Sequence, residues 1–159
     1  MQADHDNSHM SADVLERVEL FKPIPRAGLE RLVERGVHRR FAVGETLMRQ
    51  GETSQTMYVI LEGRVRVDRW LPDERQVKLA ELGAGDVVGE MGLLDSAPRS
   101  ATVTAIEDTQ ALEIHATVLA IVLIENPAVS AALLRILSRR LRSADELVVE
   151  MSRSQKERL

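Results

Sequence analysis

The 159-residue sequence has no cysteine, which excludes a disulfide framework, a thiolate zinc site and a cysteine nucleophile. Such a chain suits a reducing interior, and the expected location is cytoplasmic. Long hydrophobic runs are also missing. The longest, Val118 to Ile124, is seven residues, against the roughly 18–20 that a membrane span needs. A soluble chain with no membrane insertion is expected. There is no excess of positive charge: the formal net charge is −4 and stays negative without the first ten residues, so nothing draws the whole chain toward nucleic acid. DNA binding by this chain alone is not expected. Outside the N-terminal tail the only histidines are His38 and His115. Neither His-Glu-x-x-His nor Gly-x-Ser-x-Gly occurs, and no metal-ligand set or nucleophile–base pair is evident. The chain reads as a non-enzyme with no catalytic residues, no metal and no resident cofactor.

What is present supports one core, since 44% of the residues are hydrophobic in a chain of ordinary single-domain length. The first ten residues, MQADHDNSHM, are polar and aperiodic, and Ser8-His9-Met10 looks like a cloning scar. Residues 1–10 are therefore set aside as a tag or disordered tail. From Ser11, Val14, Leu15, Val18 and Leu20/Phe21 recur at helical spacing until Pro23 and Pro25 interrupt; Leu29, Leu32 and Val33 resume it up to Gly36. This predicts two short helices around a proline turn over 11–36.

Over 37–115 the period changes. Met57 to Leu61, Val65 to Val67 and Thr102 to Ile106 are β-like, and seven of the nine glycines fall between Gly44 and Gly92. Short antiparallel strands joined by tight turns follow, with Trp70 to Arg75 as an exposed hairpin tip. No glycine occurs beyond Gly92. Thr117 to Glu125 reads as a short helix. Asn126 as N-cap and Pro127 at the first helical position then open a long helix to about Ser152, leaving 153–159 as a tail. The fold class is α+β: a small antiparallel β-sandwich or jelly-roll-like β-roll flanked by N-terminal helices and a long C-terminal helix, all one domain over 11–159. Along the last helix Leu134, Leu137, Leu141, Ala144, Val148 and Met151 form a heptad-like seam. Either the seam packs on the chain's own β-domain or it forms a homodimer.

The chemistry lies between Gly85 and Val103. Glycines on both sides of Glu90 let the backbone approach a ligand closely, and the N–H groups from Gly92 to Leu94 suit an anion. Arg99, after Pro98 and before an alternating strand, offers a guanidinium fork for two phosphate oxygens, with the Ser100 hydroxyl beside it. Glu90 would repel a bare phosphate. It makes sense if it accepts from a sugar hydroxyl or holds Arg99 in place. The combination asks for a ligand carrying both phosphate and ribose.

Together, Gly89-Glu90-Met91-Gly92-Leu93-Leu94 and Ala97-Pro98-Arg99-Ser100-Ala101-Thr102-Val103 resemble the phosphate-binding cassette of the cyclic-nucleotide-binding domain family. Phe41 to Leu47, Gln50-Gly51-Glu52 and Tyr58 to Gly63 are similar to its early β-roll signatures, so the resemblance runs from Leu15 onward. It implies that Glu90 takes the ribose 2′-hydroxyl and Arg99 the cyclic phosphate, with Gly89, Met91, Gly92, Leu93, Pro98, Ser100 and Ala101 completing the cradle. Ser100, where cGMP-preferring members often carry threonine, implies cAMP first, with cGMP as the alternative. The long helix looks most like that of bacterial Crp/Fnr-type regulators, where it is dimer seam and lid. The resemblance places Arg140 near Glu90, and either Asp145 or Ser143 against the base, where those regulators offer hydroxyls. Such regulators continue into a DNA-binding domain. This chain stops at Leu159, short of the ~60 further residues one requires, so an unknown output domain or protein is expected. The competing expectation is a ligand-free relic of the fold serving dimerisation or protein interaction.

Overall fold

A computed structural model describes residues 2–156. Helix α1 (Gln2–Glu16), a 3-10 turn (Glu19–Phe21) and α2 (Arg26–Arg35) precede the strands β1 (Val37–Phe41), β2 (Thr46–Met48), β3 (Thr56–Glu62), β4 (Arg64–Trp70), β5 (Gln76–Gly83) and β6 (Val87–Val88). A short helix α3 (Glu90–Asp95) is followed by β7 (Thr102–Ala105), β8 (Thr109–His115), α4 (Ala116–Glu125) and α5 (Pro127–Lys156). The strands form two four-stranded antiparallel sheets, ordered β1-β8-β3-β6 and β2-β7-β4-β5. The architecture is the β-roll with flanking helices that the family resemblance implied.

The alternation along β3 explains the layering, because successive side chains point to opposite faces of a strand. Met57 and Val59 join Leu112 and Ile114 of β8 in a core shared with α1, α2, α4 and the start of α5. Tyr58 and Ile60 point the other way, into the interior of the roll, with Phe41, Val65, Val103 and Ala111. The first sheet is thus covered on both faces. Gly63 makes the β3–β4 turn at φ +92°, where a Cβ would come within 2.4 Å of the Asp108 carbonyl. At the other end of β4, Leu71 N–H donates to the Arg75 carbonyl and Glu74 takes φ 64°, closing the exposed β4–β5 hairpin tip.

Three details differ from expectation. The segment set aside as tail is helical from Gln2. Ala12 and Leu15 are fully buried and anchor the following turn, and once a helix is nucleated, adding residues costs little. The long helix likewise runs on to Lys156, where Arg153 and Lys156 complement the dipole of its last turn. Asn126 closes α4 instead of capping α5 with its side chain: Nδ2 donates to the Val122 carbonyl at 3.1 Å, while the Asn126 carbonyl accepts from Val129 N–H.

For the heptad seam the sequence left two placements open. The seam does not pack on the β-domain: Leu134, Leu141, Val148 and Met151 are each about two-thirds exposed. The face that does pack carries Val129 and Ala132, with Leu133 and Ile136 alongside. At about 100° per residue this face lies roughly a quarter-turn from the seam. Every residue from Ser138 to Lys156 is exposed. Among the described residues no single helix is long and apolar enough to cross a membrane; α4 and α5 together bend by 113°.

Candidate ligand-binding site

The second sheet and the loop after β6 enclose an open cavity of about 400 Å³. Its floor is apolar, from Met48, Val67, Ala80, Leu82 and Val103, and its rim is the predicted cassette. Gly89 enters α3 at φ +85°, and a Cβ there would lie 2.7 Å from Arg99 Nη1 and 2.8 Å from Met48 Sδ. Only glycine satisfies both the backbone and the neighbours. A Cβ at Gly92 would sit 3.0 Å from the same Arg99 nitrogen.

Arg99 is 5% exposed. Its backbone is clamped on both sides by the turn after β2: Gly51 N–H donates to the Arg99 carbonyl, and Arg99 N–H donates to the Glu52 carbonyl, each at 2.8 Å. This gives the Gln50-Gly51-Glu52 segment a physical role. The guanidinium donates from Nη1 to the Gly89 carbonyl at 2.8 Å and from Nη2 to the Thr56 carbonyl. Nε is buried without a hydrogen-bond partner. Among the described residues no carboxylate stands within ion-pair distance of Arg99. Burial pushes its guanidinium down from the usual arginine range, and electrostatic interaction with Tyr58 and Glu90 acts partly the other way. A desolvated cation held only by neutral carbonyls and an apolar floor is a receptor for an anion.

Glu90 opens α3 with its side chain 15% exposed, and Arg140 of α5 places Nη1 2.5 Å from its Oε1. Glu90 does not hold Arg99 by contact, which leaves its effect on Arg99 through space. Gly89, Glu90, Met91, Gly92, Pro98, Arg99, Ser100 and Ala101 all line the cavity. Leu93 does not; its side chain packs against the helical core, so it offers the cradle only backbone. Ser143 lies in a separate groove with Glu19, Ala144 and Leu147. Asp145 lies on another side of α5 with Glu146 and Val149. Neither Ser143 nor Asp145, expected against the base, lines the cassette cavity, because the helix has run past the roll by that point.

Thr56 and the apolar floor escaped the sequence reading. The floor residues come from four strands, and only the sheet register brings them together; the alternation Ala80, Leu82 was its one visible trace. The two histidines are structural. His38 Nε2 lies 2.9 Å from Ser11 Oγ, and His115 Nδ1 accepts from Thr117 N–H at the start of α4. Among the described residues no cluster of three or more potential metal ligands occurs.

Comparison with known proteins decides the family. A family model described as cyclic nucleotide-binding domain matches residues 38–126, more than half of the chain and all of the cassette. The chain belongs to the cyclic nucleotide-binding domain family. It is 28% identical over 139 residues to the CRP-like cAMP-activated global transcriptional regulator of Mycobacterium tuberculosis, covering 87% of this chain and 62% of that protein. It is 36% identical over 107 residues to the cyclic AMP receptor protein of Thermus thermophilus, covering 67% and 50%. The crystal structure of Thermus thermophilus catabolite activator protein superposes with a TM-score of 0.79 at 31% identity, over 84% of this chain and 63% of that one. The chain thus spans about half to three-fifths of the length of these curated relatives. It resembles the regulatory portion of such regulators.

Proposed function

We propose that this chain is a regulatory sensor that binds a cyclic nucleotide, cAMP in preference to cGMP, in the 89–101 cassette. The observation that carries the proposal is the buried Arg99 guanidinium, which faces an apolar-floored cavity without a contacting carboxylate. A cyclic phosphate supplies the missing counter-charge in a fork that matches it. Glu90 then takes the ribose hydroxyl, and the floor takes the sugar ring and base. Ser100 at the rim, and two relatives named for cyclic AMP, favour cAMP. The chain acts by binding, with no catalytic step, in the cytoplasm, and passes the signal to another domain or protein.

Arg140 gives α5 a means of sensing the site. The helix touches the cassette through the Arg140–Glu90 pair, so a ligand at Glu90 alters what holds α5, and contacts made only with α5 closed favour that state. Its exposed seam forms a homodimer. Isothermal titration of nucleotide-free protein with cAMP and with cGMP tests the reading. Micromolar or tighter binding with cAMP ahead supports it; no heat with either nucleotide favours an interaction domain that works through the α5 seam alone. Amide exchange over 127–152 that is identical with and without ligand removes the lid.

A further inference from the structure

Building on the homodimer just described, we propose that Asp145 is a seam residue. It pairs with Arg140 of the partner subunit, so that one arginine joins the nucleotide site to the interface. The apolar spacing of α5, exposed at Leu134, Leu141, Val148 and Met151 and half-buried at Leu137, assigns Leu134, Leu141 and Val148 to a positions and Leu137, Ala144 and Met151 to d positions of a heptad. The flanking g positions are then Leu133, Arg140 and Leu147, and the e positions Ser138, Asp145 and Ser152. In a parallel, in-register pair each g residue faces the e residue five positions further on in the other helix. The cross-pairs are Leu133 with Ser138, Arg140 with Asp145, and Leu147 with Ser152. One pair alone is charged, and its signs are opposite. Twofold symmetry makes it twice, whereas an antiparallel pairing sets g against g and e against e and loses it.

The structure leaves both partners available. Arg140 is half exposed and gives only Nη1 to Glu90, so Nη2 and Nε remain. Asp145 is exposed on the side of α5 away from the cavity, with no ion-pair partner among the described residues. The seam from Leu134 to Met151 is only about 26 Å long at 1.5 Å per residue. In so short a seam a charged pair at the flank weighs heavily on alignment. A ribose hydroxyl donated to Glu90 competes with Arg140 for that carboxylate and turns the guanidinium toward Asp145 of the partner subunit. Occupancy of the site is thereby felt at the interface.

Sedimentation equilibrium on the full 159-residue chain tests this with Asp145→Asn, Arg140→Gln, their combination, and Asp145→Glu. Each single neutral substitution is expected to weaken dimerisation about three- to tenfold, as two exposed ion pairs per dimer allow. The combination weakens it no further than the worse single change, and Asp145→Glu retains most of the affinity. Wild-type dimers that Asp145→Asn leaves unchanged, or singles whose effects add in full, overturn the pair while the homodimer stands. A wild-type monomer at tens of micromolar removes the dimer and the pair together.

Discussion

Replacing Arg99 by methionine separates the two demands on this side chain, because stability and binding should respond very differently. In the folded protein the guanidinium is buried against the Gly89 and Thr56 carbonyls, with Nε unpaired. Charged hydrogen bonds of this kind contribute about 1.5–3 kcal/mol each. Burying a cation without a contacting anion costs several kcal/mol in the opposite direction. The two effects nearly offset, so Arg99→Met, which keeps the apolar stem, changes folding stability by no more than about 2 kcal/mol. For a chain of this length that shifts the melting temperature by up to about 8 °C. Binding has no such offset. A phosphate brought into the cavity loses its one desolvated cation, and removing one partner of a buried charged pair costs about 3–5 kcal/mol. The dissociation constant for cAMP then rises roughly a hundredfold to a few thousandfold.

Thermal shift and calorimetry measure both quantities on the same preparations. Wild-type protein with ligand at about 100 times its dissociation constant gains about 2.7 kcal/mol and melts correspondingly higher; Arg99→Met at the same concentration does not move. A variant that melts normally and still binds within tenfold of wild type refutes the argument. So does one that loses binding only because it no longer folds.

Gly89→Ala forces a side chain into left-handed backbone and against Arg99 Nη1 and Met48 Sδ. It is expected to cost about 1–2 kcal/mol from the backbone alone, seen in urea melts, and to weaken cAMP binding at least tenfold in calorimetry. Tyr58, the sole tyrosine, has its phenol pushed above the usual value of about 10, first by burial and then by its hydrogen bond to Glu113. Because the folded protein holds this proton more tightly than the unfolded chain, the stabilisation is complete below pH about 10 and is lost as pH rises through the higher folded value. Tyrosinate absorbance should therefore titrate later in native than in urea-unfolded protein, and Tyr58→Phe should flatten the alkaline fall in stability. Coincident titration curves refute it.

Much of the site could be read in one dimension because its residues are nearly consecutive. Gly89, Glu90, Gly92 and Arg99 lie within eleven positions, and their demands on backbone and charge are local. Arg140 is different: forty-one positions beyond Arg99, it was placed near Glu90 only by resemblance, and the fold sets the two 2.5 Å apart. Ser143 and Asp145, expected at the base by the same resemblance, are not brought there, since α5 leaves the roll after Arg140. Thr56 was invisible because a backbone carbonyl can belong to any residue. The same holds for the clamp that Gly51 and Glu52 place on Arg99, which uses main-chain atoms alone.

Periodicity and glycine placement were enough to determine an antiparallel β-domain between helices, and the residues of the 89–101 segment were enough to ask for phosphate and ribose, because those properties depend on neighbours a few residues apart. Tertiary structure alone decided that Arg99 is buried beneath the cassette without a contacting carboxylate, that four strands contribute one apolar floor, and that α5 turns its packed face inward and its leucine seam outward. Each of these depends on sheet register and on the angle at which a helix leaves the core, which are set by contacts between residues dozens of positions apart.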